Sequence, residues 1–258
     1  GLGALAGLAG CRRPVEKIIP YVIKPEEIIP GVAEYFATAM PFGTGAYGVV
    51  AKSHEGRPTK VEGNEKHPSS LGATNAYATA SVLNLYDPDR SAYVLNNGNQ
   101  KLWNDFVAAW RELFAKYTAN KGEGLAILSE SFASPTMARL QAEFAKAFPK
   151  ASWTSYEAVS DENIYAGIEG VTGNKLQPVY NYGKASVILA LDSDFLHMES
   201  DNVTASRGFA DGRRMKDEND TMNRLYVVET MFTLTGGMAD HRLRMQSRQI
   251  GAFTVALA

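Results

Sequence analysis

The feature that most narrows the fold is the run Ala185–Leu191 (ASVILAL), apolar at every position but Ser186. A half-exposed strand alternates apolar and polar side chains. An unbroken apolar run is what a central parallel strand carries, because helices cover both of its faces. The neighbouring sequence has the matching rhythm. Leu102–Tyr117 (LWNDFVAAWRELFAKY) sets Leu102, Phe106, Ala109, Trp110, Leu113 and Phe114 on one helical stripe. Gly122-Glu123-Gly124 breaks that helix, and Leu125–Leu128 is a short strand. Ser134-Pro135 opens the next helix, since a proline in the first turn has no N–H bond to lose; Met137, Leu140, Phe144 and Phe148 form its core face. Ser152–Tyr156 reads as a strand, Asp161–Ile168 as a short helix, Asp201–Met215 as a longer one, and Leu225–Val228 as the next strand. Alternation of this kind implies right-handed crossovers and a parallel sheet. The expected fold class is therefore α/β: a Rossmann-like parallel sheet with helices on both faces, over residues 101–258.

Before residue 101 the texture differs. Gly1–Gly10 (GLGALAGLAG) is small and apolar, and Cys11-Arg12-Arg13-Pro14 follows at once. Ten residues span about 15 Å as a helix, half of what a membrane crossing needs. The stretch resembles the end of a signal peptide's apolar region. Leu8-Ala9-Gly10-Cys11 fits the lipobox pattern, which makes Cys11 a lipid-anchor candidate; the alternative is an unmodified cysteine after an apolar helix end. Pro14, Pro20, Pro25, Pro30, Pro41, Gly43 and Gly45 punctuate an extended arm that completes a first segment, 1–45. Within 46–100, AYGVVAKS and RPTKVEG flank His54-Glu55-Gly56 as a β-hairpin, and Asn75–Asn84 forms a small helix that stops at Tyr86-Asp87-Pro88-Asp89. Both ends of the chain fall in apolar sequence, so it reads as part of a longer protein.

Composition excludes several functions. With 45% hydrophobic and 21% charged residues the chain is of ordinary globular type, and 26 basic against 28 acidic residues leave a charge of −2. Nucleic-acid binding needs a basic surplus that is missing. The single cysteine rules out an intrachain disulfide and a thiolate-held cluster, which takes four such ligands. The four histidines, 54, 67, 197 and 241, offer no metal-ligand spacing. No metal site is expected.

Candidate chemistry is sparse, and no catalytic residue is named. Gly43-x-Gly45-x-x-Gly48 spells a dinucleotide fingerprint, but it lacks the preceding strand and following helix that let such a loop hold phosphate; a turn into a hairpin is the reading. Asp192-Ser193-Asp194 follows the strand 186–191, where open α/β sheets bind ligands, so Asp192 and Asp194 are vestigial cofactor-binding candidates, with a solvated, helix-capping loop as the plainer alternative. His197 reads as a loop histidine. Asp240-His241 suggests a base with its orienting acid, but no nucleophile completes the set, and Asp240 as a helix N-cap with His241 and Arg242 in the first turn is the simpler reading. Arg213, Arg214 and Lys216 beside Asp217, Glu218 and Asp220 read as a mixed, solvated surface.

One resemblance covers nearly the whole chain, from residue 11 to about 245. VVAKSHEGRPTKVEGNEKHPSSLGATNAYATASVLNLYDPDR resembles the N-terminal part of the molybdopterin-oxidoreductase superfamily, with its hairpin, small-residue helix and LYDPDR stop. CRRPVEKIIPYV and NRLYVVETMFTLTGGMADHRLRM are similar to one subfamily, the iron–sulfur/molybdopterin-oxidoreductase-like subunit of alternative complex III, a membrane quinol oxidoreductase. The departures matter as much. Active superfamily members carry four cysteines around this hairpin, and the chain has none there; its loop DSDFLHMES stands where a pterin-binding loop is typical. The resemblance implies a cofactor-free domain without molybdopterin, with iron–sulfur clusters in a further C-terminal part. It also implies export, by a Tat-type signal, to the periplasmic side of the bacterial inner membrane. The partners it implies are integral membrane quinol-binding subunits and cytochrome c subunits that pass electrons from menaquinol or quinol to a periplasmic acceptor. Two other readings stay open: a molybdopterin-dependent reductase whose ligands lie downstream, and an exported Rossmann-like module binding a small nucleotide or sugar near Asp192 and Asp194.

Overall fold

A computed structural model describes residues 23–258. The first element is an antiparallel three-stranded meander: β1 (Glu34–Phe42), β2 (Gly45–His54) and β3 (Arg57–Gly63), in that order. The turn from β2 to β3 is Glu55-Gly56 alone, with φ of 54° and 77°, the left-handed pair that matches strand twist in a two-residue hairpin. The second half of the expected arm thus becomes β1, an edge strand. That position tolerates Pro41, whose missing N–H would break a ladder in a central strand. A short helix α1 (Ala76–Ala80) follows, its first turn held by the Ala78 N–H donating to Asn75 Oδ1 at 2.8 Å. A second hairpin, β4 (Val94–Asn96) and β5 (Asn99–Lys101), turns on Asn97-Gly98 with φ of 50° and 78°; sequence reasoning passes over it.

The remainder alternates. Helix α2 (Trp103–Ala119), β6 (Ala126–Ser129), α3 (Pro135–Ala147), β7 (Ser152–Ser155) and α4 (Glu162–Thr172) lead to β8 (Val187–Leu191), α5 (Asn202–Asp211), β9 (Arg224–Glu229), α6 (Leu234–Gly237), β10 (His241–Arg244) and α7 (Ser247–Leu257). Strands β6 and β7 pair in parallel; β8, β9 and β10 form a second parallel sheet with β9 central. The chain is mixed α/β with parallel sheets, an arrangement compatible with a Rossmann-like fold.

Several local expectations change. The helix expected to start at Asp161 runs to Thr172 and closes on Gly173 in the left-handed conformation, φ 74°. The helix expected over Asp201–Met215 stops at Asp211. Asp240 caps no helix: His241–Arg244 is strand β10, because its backbone pairs with Tyr226–Glu229.

The core lies on one face of β8 and β9, where Ile188, Ala190, Leu225 and Val227 meet Phe209 of α5 and Phe195. Tyr182 stacks on Phe195 with ring centroids 4.3 Å apart. Burying a residue such as Leu225 contributes about 2 kcal/mol. A second cluster, Tyr47, Val49 and Val203, joins the meander to α5. The other face of β8 is open: Val187 is 64% and Leu189 41% exposed, so the apolar run is covered on one side only. Helix α7 reaches that side through Phe253 and Leu257, which border a hollow of about 420 Å³.

Candidate functional site

The loops leaving the C-terminal ends of β8 and β9 meet at the rim where sheets of this kind take ligands. Asp192 stands at φ 51°, a conformation that Asp tolerates better than most side chains. One of its oxygens accepts the Thr230 N–H at 3.0 Å; the other accepts the Thr230 and Ser247 hydroxyls at 3.3 and 3.2 Å. Asp194 Oδ1 accepts the N–H and hydroxyl of Thr235 at 3.0 and 2.7 Å, and Thr235 Oγ1 in turn accepts the Leu196 N–H at 3.1 Å. Both aspartates are therefore braces between the two loops. Sequence reasoning places them at the right edge of the sheet, but their partners come from 38 to 55 residues away.

Behind this rim sits a buried ion pair that sequence reasoning misses. Glu229, 1% exposed, accepts the Thr233 hydroxyl at 2.6 Å and a hydrogen bond from Arg242 Nε. Burial by itself pushes the Glu229 carboxyl up; the bonds from Thr233 and Arg242 outweigh it and hold the group below its ordinary value. On the other side of the rim Ser193 donates to Glu199. Burial raises the Glu199 carboxyl against that bond, and Asp201, Asp161 and Asp194 add to the rise. Asp201 is raised by its own burial.

Asp240 and His241 do not act together. Both Asp240 oxygens accept from Arg213, at 3.0 and 2.5 Å, and one also accepts the Leu225 N–H at 2.7 Å. The Arg213 guanidinium and that amide pull the Asp240 carboxyl down to about 2. His241 instead stacks on Tyr226, ring centroids 4.7 Å apart. Arg213 thus leaves the solvated cluster in which sequence reasoning puts it and lies over the Phe209 ring. His197 stacks on Tyr77 at 5.3 Å. The Ser69 hydroxyl lies 2.8 Å from His67 Nδ1, but both belong to one local turn, and Ser69 Oγ also accepts the Gly48 N–H at 3.1 Å.

The glycine triplet has a packing explanation. Gly43, φ 55°, turns β1 into β2, and Gly48 lies under the His67 ring, where a Cβ would come within 2.1 Å of His67 Cγ. Among the described residues no three His, Cys, Asp or Glu side chains are grouped to hold a metal ion, and no helix is long and apolar enough to cross a membrane. Cys11 and the lipid-anchor expectation lie outside the described residues. Chemically, the rim is a braced acidic edge in which the hydroxyls serve carboxylates.

No protein-family model matches the chain, and no curated protein matches it.

Proposed function

We propose that the chain is a cofactor-free, architectural portion of the iron–sulfur subunit of an alternative-complex-III-type quinol oxidoreductase, as the sequence resemblance implies. The observation that carries this reading is the coexistence of the superfamily's GRPTKVEGN–HP hairpin and LYDPDR stop with a single cysteine, placed outside that hairpin. The braced rim supports it: Asp192 and Asp194 accept bonds from Thr230, Thr235 and Ser247, so their carboxylates serve the loops first. In this role the domain shapes its subunit and docks it against membrane and cytochrome partners on the periplasmic side, while iron–sulfur clusters elsewhere in the subunit carry electrons.

The test uses the full-length protein purified from membranes with whatever accompanies it. Expected are integral membrane and cytochrome c partners, iron accounted for by sequence beyond this chain, and no molybdenum or extractable pterin. Stoichiometric molybdenum or pterin overturns the cofactor-free assignment. Recovery without membrane or cytochrome partners overturns the complex.

A further inference from the structure

We propose that the groove between α5 and the loop before α1 binds the phosphate group of a small organic phosphate monoester. The groove encloses about 780 Å³, a volume typical of small-molecule sites. Asn202, Val203, Ser206, Arg207 and Ala210 line one wall at helical spacing, and residues 73–76 form the other. Two polar atoms of that second wall, Thr74 Oγ1 and Asn75 Nδ2, are buried and have no partner. The chemistry of the second is fixed locally. Asn75 Oδ1 accepts the Ala78 N–H at 2.8 Å as the cap of α1, so the side-chain nitrogen is left with both of its donors unused. A buried donor without an acceptor is costly, and native folds rarely keep one that nothing else satisfies. The polar groups of the facing wall cannot do so. Asn202 Nδ2 donates to the His197 carbonyl, its Oδ1 lies 3.1 Å from the Tyr47 hydroxyl, and Ser206 donates to the Leu196 carbonyl at 3.2 Å.

Arg207 supplies the charge. Its Nη2 donates to the Leu71 carbonyl at 2.9 Å, which draws the guanidinium across to the loop that carries Thr74 and Asn75. Among the described residues no carboxylate pairs with it; Asp211, one turn on, lies 3.7 Å from Arg214 instead. An amide, a hydroxyl and a guanidinium, donors all, thus border one groove from two walls. A carboxylate presents two oxygens in a single plane. A phosphate presents its oxygens in tetrahedral directions and accepts from both walls at once. Ala73, Ala76, Val203 and Ala210 give the same groove small apolar faces, which suit the organic body of the ligand.

Isothermal titration of the full-length protein with inorganic phosphate, phenyl phosphate and benzoate tests the site. Both phosphates are expected to bind saturably, phenyl phosphate about tenfold tighter because its ring covers the apolar faces. Asn75→Asp keeps the α1 cap but puts a carboxylate in place of the donor, and Arg207→Gln removes the charge. Each is expected to weaken phenyl phosphate on the order of tenfold with little change in the urea midpoint. Thr74→Val removes the unpartnered hydroxyl, so it is expected to weaken binding while leaving the ligand-free protein at least as stable. Three results overturn the site: no saturable binding of either phosphate up to roughly 10 mM, binding unchanged in both Asn75→Asp and Arg207→Gln, or a lowered midpoint for Thr74→Val, which would show the hydroxyl bonded within the fold. Equal affinity for the two phosphates overturns the organic body and assigns the groove to free phosphate. Benzoate bound as tightly as phenyl phosphate overturns the phosphate in favour of a carboxylate.

Discussion

At the scale of one residue, the Asp240 carboxylate ties Arg213, just beyond α5, to the Leu225 amide of β9. Its two bonds to Arg213 and one from the Leu225 amide depress its folded value from 3.8 to about 2. A depressed acid contributes stability that is present above its unfolded value and is lost as pH falls from about 4 towards 2. Asp240→Asn is therefore expected to cost on the order of 2 kcal/mol at pH 7. In urea titrations the gap between variant and parent should close across that acid window; a gap independent of pH would show that charge is not the cause. Gly236 is a second sensitive point. A Cβ there would lie 1.9 Å from Glu229 Oε1, and Glu229 cannot retreat because Thr233 and Arg242 hold it. Gly236→Ala should cost about 3 kcal/mol, read as a lowered melting temperature. None of this is legible in sequence. Asp240 sits beside His241, and adjacency suggests a dyad or a cap; its partner Arg213 is 27 residues away and brought close only by folding.

At the scale of elements, periodicity and turn chemistry locate most of the structure. The Ser134-Pro135 start, the Gly56 turn and the apolar strands 187–191 and 224–229 stand where local rules put them. What fails are boundaries and pairings that depend on neighbours. Strand β1 looks like an arm because its prolines and glycines suppress any strand signal, and its pairing with β2 supplies the order. Asn97-Gly98 carries the strongest two-residue turn signal in the chain, yet its flanking strands are too short to show alternation. The joint between meander and α5 is also a product of folding: the Tyr47 hydroxyl donates towards the Ser200 carbonyl at 2.5 Å and lies 3.1 Å from Asn202 Oδ1. Burial pushes that phenol up to about 12, so it stays a donor throughout the neutral range. Tyr47→Phe should lower the urea midpoint by the equivalent of about 1.5 kcal/mol with an unchanged slope. Tyr35→Phe, on the exposed edge strand, should change stability by less than about 0.5 kcal/mol.

Across the described residues many large aromatic and aliphatic side chains stand exposed, among them ones that sequence reasoning assigns to cores. Leu102, Trp103 and Leu113 of the α2 region are 71%, 65% and 44% exposed, although the periodic stripe does form a helix. Periodicity reports that a helix has an apolar face; it does not report whether the covering layer lies in the same stretch of chain. Contiguous patches of this kind mark surfaces made to be covered, and in isolation they drive association. Trp103, whose ring leans on Phe106 of its own helix at 5.0 Å, and Leu113 are both exposed, so replacing them should leave folding intact. Trp103→Lys combined with Leu113→Glu is expected to reduce concentration-dependent association in sedimentation velocity, with each replacement altering stability by no more than about 0.5 kcal/mol. If the double variant instead unfolds at markedly lower urea, the stripe is holding the α2 layer together in the isolated chain; if association persists unchanged, the sticky surface lies elsewhere, with the open face of Val187, Leu189 and Leu243 next in line.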